Sequence, residues 1–149
     1  MNKLGVAYNI FNGEEFLIDS LKRMRKHCDY IVLTIQNVSN VGNINDNLSE
    51  FISNIDKTLY DKIEIFNPDL KKHPQYNELD KRNLGLKCCL EANCTHFMSI
   101  DCDEFYDVNE FTNAYNSILE NNIDGCFCEL KNYFKDPSYQ IIGNKQYVP

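Results

Sequence analysis

The chain has 149 residues, 43% of them hydrophobic and 25% charged, with a formal net charge of -7 and a pI near 4.9. That size and balance describe one domain with room for a core, and the acidic excess argues against a general binder of nucleic acid or membrane surfaces. No apolar run approaches the ~20 residues that cross a bilayer, and the opening residues lack a signal-peptide layout, so the expectation is a cytoplasmic protein without a membrane span.

In chain order, residues 3–9 (KLGVAYN) form a short apolar strand. Phe16, Leu17, Leu21 and Met24 recur at helical spacing and predict an amphipathic helix over 14–27. Residues 30–35 (YIVLTI) are apolar almost throughout, the pattern of a strand covered on both faces. An Asn-rich loop spans 38–47, and Leu48, Phe51, Ile52, Ile55 and Leu59 mark a second helix. Residues 63–66 make a third strand, closed by the breaker pair Asn67-Pro68. A polar loop over 69–77 carries Lys71, Lys72 and His73. The third helix is predicted over 78–92, with Leu79, Leu86, Cys89 and Leu90 inward. A fourth strand, HFMSI from His96, reads as buried and stops at Asp101 and Asp103, with Glu104 beside them. A fourth helix from Asn109 and an alternating strand over 126–134 follow, and beyond Pro137 the tail has little pattern. The seven cysteines form no CxxC pair. Their spacings fit no common zinc pattern, so they are read as buried free thiols.

Strands alternating with helices imply βαβ units and a mainly parallel α/β sheet. Right-handed crossovers give strand order 3-2-1-4, plus a further strand. The first and fourth strands are then neighbours whose connections leave in opposite directions, and the crevice at their carboxyl ends is where ligands bind in open sheets. That crevice sets Tyr8 and Asn9 beside Asp101 and Asp103. In an extended segment residues two apart share a side. The two carboxylates would thus converge on a hard cation, Mn²⁺ or Mg²⁺, which takes oxygen donors. The competing reading makes the acidic stretch a solvated strand end that caps the following helix.

Three stretches, in this order, carry a family resemblance: YNIFNGEEFLIDSL after the first strand, KRNLGLKCCLEA on the third helix, and HFMSIDCDEF at the fourth strand. Together they cover about residues 3–106 and resemble a glycosyltransferase of the GT-A (Rossmann-like) fold, close to the family 2 type. The resemblance implies transfer of a sugar from a nucleoside-diphosphate-sugar, a UDP-sugar foremost, to a hydroxyl of a carbohydrate or glycoconjugate acceptor, by an inverting, hexosyltransferase-like reaction. It implies Mn²⁺ or Mg²⁺ on Asp101 and Asp103. Donor contacts are expected from Ala7, Tyr8 and Asn9 on the first strand, Gln36 after the second, and Lys81 and Arg82 on the third helix. Asp101 and Cys102 complete the expected set. Lys81 or Arg82, rather than the Lys71-Lys72 pair, is expected to face the diphosphate, aided by the dipole at the helix amino end. Gly85 would permit close packing near the ligand.

Two departures matter. Gln36-Asn37 stands where the family carries an acidic residue that reads the base or ribose, although an amide also hydrogen-bonds a base edge. Family members also continue well past the fifth strand, so the chain is expected to be a nucleotide-sugar-binding GT-A domain shorter at its carboxyl end than a full enzyme. No general base is assigned; Glu129 is the one late acidic residue worth naming. A phosphohydrolase of the haloacid-dehalogenase type also uses Asp-x-Asp after an apolar strand, but on its first strand and with Thr or Val where this chain has Phe105. The remaining alternative is a non-catalytic nucleotide-sugar or carbohydrate-binding module of the same fold.

Overall fold

A computed structural model describes residues 2–134, 136–142 and 146–148. The apolar, β-branched runs form β1 (Leu4–Ile10), β2 (Tyr30–Ile35), β3 (Lys62–Ile65) and β4 (His96–Asp101). They pair in parallel in the order β3-β2-β1-β4, the α/β topology expected. Helices α1 (Glu14–Met24), α2 (Leu48–Ser53) and α3 (Pro74–Glu91) connect them. These elements form one compact unit, residues 1–108, and residues 109–149 form a second.

Side chains alternate between the two faces of a strand, and in this sheet the faces differ in chemistry. On one face Tyr8 lies in register with Leu33 and Ile100. Val6, Ile10 and Ile31 join them, all fully buried. The Tyr8 hydroxyl is 2.9 Å from Ser20 Oγ, so α1 lies on this face. Helix α1 buries Leu17, Leu21 and Met24 of its predicted stripe, while Phe16 is 45% exposed and meets Phe105 edge-on. Desolvation pushes the Tyr8 phenol well above its ordinary pKa, which keeps it neutral and hydrogen-bonded.

On the other face the residues grade from small to polar along the strands. Gly5 and Ala7 give way to Asn9 on β1, and Val32 gives way to Thr34 on β2. Asn9 is in register with both Thr34 and Asp101. Helix α3 packs across this face against β1, β2 and β4. Its approach is close, because a Cβ on Gly85 would fall 2.5 Å from Ala7 Cβ. At the far end, a Cβ on Gly5 would meet the sulfurs of Cys89 and Cys94 at 2.7 and 2.8 Å.

Several elements differ from the sequence reading. Helix α3 starts a turn earlier, with Pro74 in its first turn and His73 as N-cap, so the predicted polar loop ends sooner. Its buried residues are Asn77, Lys81, Gly85, Cys88 and Cys89, while Leu79 and Leu90 are 54% and 60% exposed. The second predicted helix is cut at Ser53, and Asp56 then caps a separate 3-10 turn at Lys57–Leu59 through the Thr58 amide. Strand β4 is less buried than its composition suggested, with Phe97 36% exposed, because it is an edge of the four-stranded sheet.

In the second unit, α4 (Val108–Asn121) is followed by β5 (Cys128–Leu130), β6 (Tyr133–Phe134), β7 (Asp136–Gln140) and β8 (Gln146–Val148). The single strand expected over 126–134 is thus two short strands. Each pairs antiparallel outside the main sheet, β5 with β8 and β6 with β7. Residues 143–145 and 149 of the tail lie outside the described residues. No helix among the described residues is long and apolar enough to cross a membrane.

Candidate functional site

Where β1, β2 and β4 end, the polar face of the sheet opens into a cleft of about 530 Å³. Its walls are Asn9 and the turn Phe11 to Gly13 after β1, Gln36 and residues 39–41 after β2, Glu78, Lys81 and Arg82 of α3, and Asp101 to Asp103 after β4. Gly13 precedes α1 with φ of +85°, a conformation glycine takes without strain.

Of the residues singled out from the sequence, Asn9, Gln36, Lys81, Arg82, Asp101, Cys102 and Asp103 line this one cleft. Ala7 and Tyr8 do not. Ala7 is fully buried beneath Gly85, and Tyr8 points to the opposite face toward Ser20. Lys71 and Lys72 are also outside it, and the Lys72 ammonium pairs with Asp80 at 2.8 Å. The cleft borders the second and third turns of α3 rather than its amino end, so the dipole expected to aid an anion is not aimed into it. Glu129 lies on β5, in the second unit.

A chain of polar contacts crosses the cleft floor. Gln36 Nε2 donates to Asn40 Oδ1 at 2.7 Å, and Asn40 Nδ2 donates to Glu78 Oε2 at 3.3 Å. The Lys81 ammonium, on a residue only 5% exposed, is 3.3 Å from the same carboxylate. A buried ammonium needs such a partner, since leaving it unpaired costs several kcal/mol. Arg82 is held by all three of its nitrogens. Nε donates to Glu78 at 2.9 Å, Nη1 to Ser99 Oγ at 2.9 Å, and Nη2 to both Asp101 oxygens at 3.1 Å. Asn9 Nδ2 also donates to Ser99 Oγ, at 2.9 Å. Asn40 and Glu78 were missed from sequence. The spacing of Glu78 from Lys81 and Arg82, three and four residues along a helix, is the signal that marks it.

Three acceptors on this face, Asn9 Oδ1, Thr34 Oγ1 and Gln36 Oε1, are buried and find no partner among the described residues. Each such orphan costs about 1–3 kcal/mol. Their grouping at one strand end marks a place where the protein keeps unmet polarity.

The acidic turn differs from the extended segment assumed from sequence. Only Asp101 is in β4; Cys102 and Asp103 form a turn in which the Glu104 amide donates to Asp101 C=O at 3.2 Å. The same-side argument therefore applies to Asp101 alone. The Asp101 amide donates in return to Glu104 Oε2 at 3.1 Å, and Ser20 Oγ donates to Glu104 C=O at 3.2 Å. Burial raises the Glu104 pKa, an effect that its bond from the Asp101 amide opposes. Asp103 is exposed and makes no hydrogen bond or ion pair among the described residues. Helix α4 begins at Val108, five residues on, so Asp103 is not its cap. Cys102 is buried, and desolvation foremost pushes its thiol up to about 12. Its Sγ donates to Asn9 C=O at 3.7 Å. Cys28 and Cys89 are likewise pushed up to about 12 by burial, and all seven cysteines are free thiols.

Hard oxygen donors suited to Mg²⁺ or Mn²⁺ are present at the turn: Asp103, and the lone pairs of Asp101 that Arg82 leaves unused. Among the described residues, no group of three or more His, Cys, Asp or Glu is arranged to hold a metal. Asp101 and Asp103 are two carboxylates in number, and a magnesium ion is commonly held by one or two carboxylates that share it with substrate phosphates. No family model matches the chain, and no curated protein matches it.

Proposed function

We propose that the chain is a metal-dependent glycosyltransferase acting on a nucleoside-diphosphate-sugar. One observation carries the reading most. Carboxylates from the carboxyl end of β4, cations from α3 and buried amides from β1 and β2 all line a single cleft at the topological switch point. Lys81 and Arg82 offer positive charge to a diphosphate, and Gln36 offers an amide to the base or ribose. Asp101 and Asp103 would hold Mn²⁺ or Mg²⁺, which supplies Lewis-acid stabilisation of charge on the leaving diphosphate. In the transfer, the acceptor hydroxyl oxygen bonds to the anomeric carbon and the bond from that carbon to the diphosphate breaks. The diphosphate leaves with the electron pair and the hydroxyl proton goes to a general base.

The test is calorimetric titration of UDP and GDP with and without Mn²⁺, followed by assay of nucleoside diphosphate release from a panel of nucleotide-sugars. Asp103→Asn is expected to leave the unliganded protein as stable as wild type, since it removes one like charge beside Asp101 and Glu104. It should weaken metal-dependent UDP binding by at least about tenfold, or 1.4 kcal/mol. Wild-type binding that ignores both the metal and this substitution defeats the reading. Metal-dependent binding without release selects the non-catalytic module instead.

A further inference from the structure

We infer that Arg82 is a latch on Asp101 that makes cation loading conditional on the diphosphate, an inference that rests on the functional reading above. Arg82 is itself tethered by Glu78 and Ser99 while Nη2 spans both Asp101 oxygens at 3.1 Å. A divalent cation arriving alone meets an aspartate already paired with a fixed guanidinium. Like charge a few ångströms away opposes its entry.

The remaining acidic groups do not offset this. The Glu104 carboxylate is turned back to the Asp101 amide, and Glu78 is engaged by Lys81 and Arg82. Only Asp103 is left uncommitted. Among the described residues, no group of three His, Cys, Asp or Glu side chains is arranged to hold the ion. That the cleft is built for a ligand is independently indicated by Asn9 and Gln36. These are 5% and 1% exposed, line the same walls, and each keeps a buried acceptor without a partner among the described residues.

A diphosphate reverses the balance. Four hydrogen bonds to Glu78, Ser99 and Asp101 leave at least one of the five guanidinium N–H groups open. Phosphate oxygens would take what is open and draw positive charge away from Asp101, while supplying the oxygen donors the cation lacks. Cation and nucleotide therefore enter as one unit. By linkage each tightens the other by the same factor.

The experiment is Mn²⁺ titration followed by electron paramagnetic resonance, with and without UDP, on wild type, Arg82→Gln and Arg82→Lys. Wild type should bind Mn²⁺ weakly alone and at least about tenfold more tightly with UDP, within the usual range of coupling between sites. Arg82→Gln keeps a polar group beside Ser99 but loses the charge. It should bind Mn²⁺ alone about fivefold more tightly than wild type, and its UDP enhancement should shrink. Arg82→Lys keeps the charge and should stay weak for Mn²⁺ alone, which separates the latch from a general change in packing. Equal Mn²⁺ affinity in wild type and Arg82→Gln, with metal-dependent UDP binding intact in wild type, overturns the latch and leaves the functional reading standing. Absence of UDP binding to wild type at any Mn²⁺ concentration removes both.

Discussion

The two faces of the β3-β2-β1-β4 sheet use the same strands for different ends. Beneath α1, Tyr8, Leu33 and Ile100 share a register and are fully buried. Beneath α3, the next residues along, Asn9, Thr34 and Asp101, share a register and leave two buried acceptors unmet. One face is satisfied and the other is not. Folding free energy should therefore be concentrated on the first, while the second tolerates substitution and responds to ligand.

The largest expected effect belongs to the satisfied face. Leu33→Ala should cost about 2–5 kcal/mol in urea unfolding, as cavities in well-packed cores do. A loss below ~1 kcal/mol would show that this face is not the main store of stability. Next comes the junction of the two chemistries, where Gly85 meets Ala7. Gly85→Ala gains about 1 kcal/mol of helix propensity, but its Cβ would sit 2.5 Å from that of Ala7. Overpacking of about 1–3 kcal/mol should prevail, and Ala7→Gly in the same chain should recover part of it. A stabilised single variant would mean that α3 rides farther from the sheet.

Smaller and opposite in sign is Thr34→Val. The hydroxyl oxygen is buried and unpartnered, so replacing it with a methyl of similar shape should be neutral or stabilising by up to ~1 kcal/mol. A clear loss would show that the hydroxyl has a partner after all. The smallest effect is a pH dependence at Glu104. Burial raises its folded pKa, so over a window just above the ordinary carboxylate range the native state holds a proton that the unfolded chain has lost. Stability from this group is full below that range and declines as pH rises through the folded pKa. Glu104→Gln should remove that decline. Unfolding curves across mildly acidic pH that superimpose for the two proteins would contradict it.

The same contrast explains what was legible from sequence. Strand β2 was plain because both of its faces are buried and its letters say so. The order 3-2-1-4 followed from alternation and crossover handedness alone. Helix α3 was misjudged because hydropathy reports burial only where burial is apolar. Over a polar strand end the inward residues are Asn77, Lys81 and Gly85, and Leu79 and Leu90 turn to solvent. At the site, Asp101 and Asp103 stood out as carboxylates at the end of an apolar strand, whereas Lys81 and Arg82 came from the family resemblance of the third helix; all four line the cleft. Tyr8 was misplaced by a single residue, which in a strand is the whole thickness of the sheet. Asn40 lay hidden in an Asn-rich loop, where one amide looks like the next.

The acidic turn is fastened from both sides before anything binds. Asp101 and Glu104 exchange backbone-anchored hydrogen bonds, and Ser20, itself paired with Tyr8, holds the Glu104 carbonyl from α1. A turn so held does not wait for a guest to arrange it, and the Asp101 and Glu104 amides should resist hydrogen exchange equally in empty and occupied protein. Encounter with such a surface is limited by diffusion and orientation rather than by closure of a loop. Nucleotides of differing fit would then arrive at much the same rate, and be told apart by how long they stay.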